Sequence, residues 1–265
     1  MIFLKRYLQS LLGCLYFFLG GCLLRKHRRL LYELSVRFGF EPAEQLPTPL
    51  VPTAALSKFV PPPACPALYE LDVANGNVTV AELVTIASLV KQQAPQACFE
   101  IGTFDGRTTL NIAANAPPTA RVFTLDLPPA DIHRSSLPLE ADDLQYIAKD
   151  GSGARFAGAA FAGRITQLLG DSATFDYSAY EGKMDFVFVD GSHSYEYVVS
   201  DTKTALRLLK PTGGIILWHD YATGAWPGVT QALNEFYQKD HRFQGLRRIH
   251  DTSLCLLCIP PSSTP

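Results

Sequence analysis

The chain has 265 residues, 47% of them hydrophobic and 18% charged, with a formal net charge of −2 at pH 7. That length can bury one catalytic-sized core with an appendage, and it is too great for a small binding module alone. Residues 1–40 carry seven Lys/Arg against the single acid Glu33, leaving 16 basic and 24 acidic residues beyond them, so the main domain lacks the basic face that nucleic-acid phosphates require.

The first element is an uncharged run from Tyr7 to Leu24, flanked by Lys5-Arg6 and by Arg25-Lys26-His27-Arg28-Arg29. It is just long enough to cross a bilayer, and the larger basic cluster behind it would leave the main domain in the cytoplasm. Three other readings compete: an interfacial helix continuing through Arg28 to Phe40, a lipoprotein processing site at Leu19-Gly20-Gly21-Cys22, and a buried or dimer-forming helix. Residues 1–40 are taken as a hydrophobic and basic helix that associates with membrane lipid, with a soluble cytoplasmic protein as the alternative. Residues 41–77 follow as a linker, with eight prolines between Pro42 and Pro66. Such a stretch forms neither a helix nor a central strand, and it is either a semi-rigid spacer or a strap over the domain surface.

From residue 78 to 265 the periods alternate as a βαβ fold requires. Thr79–Gln93 has helical spacing. Strands are expected at 97–101, 121–126, 164–169, 184–189 and 214–218, with helices at about 106–115, 195–209 and 228–239. Near-continuous apolar runs such as Phe186-Val187-Phe188-Val189 indicate a parallel sheet covered on both faces. The 37 residues from Leu127 to Gly163 are too many for a plain connection. They hold a short helical piece near Asp142–Lys149 and a hinge at Gly151-Ser152-Gly153, and form either a lid or passive decoration. Tyr221–Pro227, carrying Trp226, is a candidate aromatic wall. The tail reads as a hairpin of Phe243–Ile249 and Leu254–Ile259. Six scattered cysteines show no disulfide framework, and Cys255 and Cys258 read as core residues rather than a zinc or redox pair.

Function is signalled at the strand ends. Cys98-Phe99-Glu100-Ile101-Gly102-Thr103-Phe104-Asp105-Gly106-Arg107 is an apolar strand that turns through two glycines into a helix, where free N–H groups face a ligand. Acids or small polar residues close three further strands, at Asp126, Gly170-Asp171-Ser172 and Asp190, and ligands of open α/β sheets bind outside those ends. Phe104 stands where a dinucleotide fingerprint needs its second glycine, and no Walker lysine follows the turn.

The ordered set Glu100-Ile101-Gly102-x3-Gly106, Asp126, Gly170-Asp171-Ser172, Val189-Asp190-Gly191-Ser192-His193 and Gly213-Gly214-Ile215-Ile216-Leu217-Trp218-His219-Asp220 resembles class I S-adenosylmethionine-dependent methyltransferases. It is similar, more narrowly, to the metal-dependent O-methyltransferases of natural-product sugars. The resemblance spans about residues 78–260 and implies a Rossmann-like, doubly wound sheet of seven strands with the last antiparallel. Beside it, the chemistry of each residue suggests a role. Glu100 and the Gly102–Gly106 turn would receive the methionine end of S-adenosylmethionine, Asp126 the ribose hydroxyls, and Asp171 with Ser172 the adenine. Asp190 and Asp220 are suitable oxygen ligands for Mg²⁺, and His193 suits a general base; His219 is left open. The expected activity is methyl transfer to a hydroxyl of a small acceptor, such as a sugar, a phenol or another natural product, by a chain that is monomeric or oligomeric. The rivals are a metal-independent methyltransferase and a catalytically idle, membrane-tethered cofactor-binding scaffold.

Overall fold

Alternation along the apolar strands decides how the layers assemble. Phe186 and Phe188 point to one face of the sheet and Val187 and Val189 to the other, and all four are buried. A strand with both faces covered has no solvent side, which is why its sequence shows no polar alternation. Full burial of each such side chain contributes about 1.5–3 kcal/mol.

The computed structural model describes residues 2–20, 31, 34, 37–38, 46–63, 65–149 and 151–261. The strands are β1 (Thr53–Ala54), β2 (Ala97–Ile101), β3 (Arg121–Asp126), β4 (Ile165–Leu169), β5 (Phe186–Val189), β6 (Gly214–Trp218), β7 (Arg247–Ile249) and β8 (Cys255–Ile259). Helices are α1 (Ile2–Gly20), α2 (Val80–Gln93), α3 (Arg107–Asn115), α4 (Leu144–Ile147), α5 (Tyr195–Leu208) and α6 (Pro227–Lys239). One sheet runs in the order β1-β7-β8-β6-β5-β2-β3-β4. Every pairing is parallel except those of β8, which is antiparallel to both β6 and β7. The chain winds from β2 outward through β3 to β4, then returns to place β5 on the other side of β2. The carboxyl ends of β2 and β5 therefore form the switch point where such sheets open a crevice.

Helices α2 and α3 cover one face through Leu83, Ile86, Leu89, Ile112 and Ala113. Helices α5 and α6 cover the other through Val198, Ala205, Leu208, Val229 and Leu233. A capping box of Thr79 and Glu82 starts α2, and Ser194 caps α5.

The sheet has eight strands where seven were expected. The extra edge strand β1 comes from the proline-rich segment, pairing Thr53 with Arg248 and Ala54 with Ile249. Pro52 is tolerated beside it because the segment lies at an edge and supplies only its carbonyl, to Arg248 N.

Contacts divide the chain into two compact units, Met1–Leu46 and Pro47–Pro265. Residues 47–77 are thus no free linker but a strap within the second unit. Val51 and Val60 are buried in its cores, and the backbone N–H of Val51 donates to the Tyr221 hydroxyl at 3.0 Å. In the first unit, α1 begins at Ile2, so Lys5 and Arg6 lie inside the helix rather than before an apolar span. Among the described residues no helix is long and apolar enough to cross a membrane; of the Tyr7–Leu24 run, residues 21–24 lie outside the described residues. In the tail, Cys255 is buried but Cys258 is exposed, so only the first is a core residue.

Candidate active site

A cleft enclosing about 1080 Å³, its open mouth included, lies over the carboxyl ends of the central strands.

At one end is the turn after β2. Gly102 has φ +97°, and a Cβ there would stand 2.0 Å from the carbonyl oxygen of Asp190. Only glycine lets the two switch-point strands close this tightly. Phe104 adopts a left-handed φ of +48° within the same turn, an uncommon conformation for a bulky residue. Gly106 is constrained differently: a Cβ would meet the Phe156 ring at 2.5 Å and Gly153 Cα at 2.9 Å. It accommodates the β3–β4 connection, and it is not among the residues lining the cleft.

Glu100 lies behind the same turn and is not among the residues lining the cleft. Its side chain shares the Cys98 face of β2, is buried, and accepts hydrogen bonds from the hydroxyls of Thr109 and Thr124. Burial pushes its pKa up to about 8, against the two hydroxyl bonds, with the charges of Asp190 and Asp126 adding to the rise. Glu100 ties α3 to the sheet beneath the turn.

Asp126, Asp171 and Ser172 do line the cleft. Asp126 ends β3, 2.7 Å from Lys149 Nζ, and accepts from Ser152 Oγ. Asp171 accepts from Ser136 N at 2.7 Å, Ala173 N at 2.9 Å and the Tyr197 hydroxyl at 3.0 Å. Burial opposes its ionisation, but these donors hold its pKa below the usual carboxylate value.

At the other end, Asp190, His193 and Asp220 converge. Each offers one ligand atom, and these atoms lie within 4.8 Å of one another. Asp190 follows β5 and Asp220 follows β6, so adjacent parallel strands bring them side by side. Asp220 has φ +63°, a left-handed conformation that aspartate tolerates better than most residues.

A chain of alternating acids and imidazoles runs through the cluster. His219 Nδ1 lies 3.0 Å from both Asp190 Oδ1 and Asp220 Oδ2, while its Nε2 lies 3.2 Å from Glu82 Oε2. His193 Nε2 lies 2.9 Å from Asp220 Oδ2, and its Nδ1 lies 2.5 Å from Asp143 Oδ1. Burial alone would depress the His193 pKa, but its bonds to Asp143 and Asp220 and their charges raise it to about 9. His219 is likewise raised, against burial, by Asp190 and Asp220. Asp220 and Glu82 move the opposite way, held well below the usual carboxylate range by imidazole neighbours that outweigh burial. Two imidazoles thus balance a concentration of carboxylates, and this is a site that accommodates positive charge.

The β3–β4 connection covers the cleft. Leu139, Asp143, Tyr146 and Lys149 line it from above, and Gly76 and Asn77 of the strap complete the rim. Tyr146 packs edge-on against both Phe104 and Trp226, with ring centroids 6.0 and 6.3 Å away. Trp226 stacks on His193 at 4.0 Å and 14°. Asp143, Glu82, Lys149 and the strap residues were not anticipated from sequence. Glu82 carried one local signal, its capping-box spacing from Thr79, which gave no hint of a second bond to His219.

Residues 99–221 match the family model described as a methyltransferase domain. Among solved structures, cofactor-bound Rv0187 from MTB is 17% identical, with a TM-score of 0.50 over 73% of this chain and 85% of that one. The SAH-bound methyltransferase PaMTH1 of Podospora anserina is 18% identical, with a TM-score of 0.50 over 69% of this chain and 79% of that one. No curated protein matches. Residues 99–221 thus match a methyltransferase domain, and the switch-point cleft with the antiparallel last strand gives the chain the fold shared with these solved structures.

Proposed function

We propose that the chain moves a methyl group from S-adenosylmethionine to a hydroxyl of a small acceptor, with a divalent cation such as Mg²⁺ at Asp190 and Asp220 and with His193 as general base. The observation that carries this reading is the convergence of Asp190, His193 and Asp220 in the cleft that also holds Gly102, Asp126 and Asp171. The donor set fits the ion: two half-buried carboxylates on adjacent strands suit a hard cation. When bound, the cation would lower the pKa of acceptor hydroxyls.

The chain's own residues do the rest. Asp126, Asp171 and Ser172 hold the nucleoside end, and the Gly102 backbone admits the methionine end. Trp226 and Tyr146 wall the acceptor space and exclude water. The transfer forms an O–C bond as the S–C bond breaks, with sulfur keeping the electron pair and the hydroxyl proton passing to Nε2 of the neutral His193 ring, the minor form at pH 7 given its pKa of about 9, so turnover should climb toward that pH. Alignment and proton removal are the contributions such a displacement needs from the protein. We also place α1 on a lipid surface, since Phe3, Leu4, Tyr7, Leu8 and Leu12 are exposed along a helix that includes Lys5 and Arg6.

The test is formation of S-adenosylhomocysteine and a methylated product from a panel of sugars and ortho-dihydroxy aromatics, identified by mass spectrometry. His193→Ala should lower turnover by about 10²- to 10⁴-fold, and the loss should shrink at high pH as the acceptor ionises unaided. No product with any acceptor, together with firm cofactor binding, would leave the scaffold reading in its place.

A further inference from the structure

Asp143 reaches the catalytic loop from the β3–β4 connection, 50 residues before His193 in sequence. It is buried, and both of its carboxylate oxygens are spent on that loop. Oδ1 lies 2.5 Å from His193 Nδ1, while Oδ2 accepts from Ser192 Oγ at 2.6 Å and from the backbone N–H of His193 at 3.1 Å. With Trp226 stacked on the ring, the Nδ1 edge and one face of His193 are fixed. The Nε2 edge is left toward Asp220 and the cleft.

We propose that Asp143 is the positioning residue of the site: it holds His193 by Nδ1 so that Nε2 faces the acceptor side of the cleft. The inference rests on His193 being the base in the function proposed above. A carboxylate accepting from Nδ1–H fixes the ring orientation and, in competition with Asp220 at 2.9 Å from Nε2, favours the tautomer whose Nε2 lone pair takes a proton. An imidazole without it would keep its stacking on Trp226 but could present either nitrogen to the cleft.

The test uses the full chain with ¹⁵N-labelled histidine. The wild type should show a strongly deshielded Nδ1–H resonance, assigned by its loss in His193→Gln. It should vanish in Asp143→Ala and move upfield in the near-isosteric Asp143→Asn, with thermal unfolding confirming that each variant is folded. Turnover should show a split: kcat down about 10- to 100-fold in Asp143→Ala, with the acceptor KM and the S-adenosylmethionine affinity within threefold of wild type. A resonance that persists in Asp143→Ala would overturn the proposal. So would a variant whose KM and cofactor affinity worsen at unchanged kcat, since that describes a connection that merely covers the cleft. Absence of wild-type turnover on every acceptor would count against the proposed reaction instead, and the resonance with its dependence on Asp143 would still decide the positioning geometry.

Discussion

Single residues in this cleft are set by which face of a strand they occupy. Asp126 ends β3 with its carboxylate in the cleft, so Asp126→Ala should weaken S-adenosylmethionine binding by about 1.5–3 kcal/mol, the usual worth of a hydrogen bond to a charged group. Calorimetry measures this, and unchanged affinity would remove Asp126 from the nucleoside site. Glu100, one strand over, differs because alternation turns it onto the Cys98 face under α3. Its folded pKa of about 8 lies above the ordinary 4.5, so between those values the unfolded chain has lost a proton that the folded chain retains. Stability from this group is therefore complete below pH 4.5 and is lost as pH rises toward 8. Glu100→Gln should flatten that slope in denaturant unfolding measured at pH 5 and pH 7.5; an equally steep slope would mean that Glu100 is ionised in the fold. Asp190, His193 and Asp220 were legible in the sequence because each follows a recognisable apolar strand. Asp143 was not, because it sits in a non-periodic connection and acts through a contact 50 residues away.

At the scale of elements, hydrophobic period located the helices and the central strands to within about two residues, since a buried parallel strand and an amphipathic helix each leave an unambiguous pattern. The strap left none. Proline content says what a segment cannot form, whereas its burial depends on distant donors. Arg107, fully buried on α3, donates to the carbonyls of Glu70 at 2.6 Å and Val78 at 2.7 Å. Arg107→Met should cost about 2–3 kcal/mol in chemical denaturation, because buried carbonyls would lose charged donors. A cost below about 0.5 kcal/mol would show that Arg107 does not hold the strap. For α1, Leu8→Asp with Leu12→Asp in the full chain should reduce flotation with anionic vesicles while leaving cofactor affinity unchanged. Equal flotation of variant and wild type would remove lipid binding from this helix.

The molecule as a whole joins two chemistries at one topological switch. The turn after β2 and the acids after β3 and β4 make the half that suits a nucleoside, and the loops after β5 and β6 make the half that suits a cation and a base. The sheet order brings the two within one cleft, and the β3–β4 connection spans both, through Lys149 on Asp126 and Asp143 on His193. Fold class could be read from sequence because strand ends and apolar runs are local features; the way one connection links the two halves could not. Methyl transfer measured with and without chelator, beside S-adenosylmethionine binding in the same samples, tests the central claim most directly. Chelator should abolish turnover and Mg²⁺ should restore it, with cofactor affinity within twofold throughout, and Asp220→Asn should reproduce the chelated state. Turnover that is indifferent to chelator and to Asp220→Asn would contradict the account.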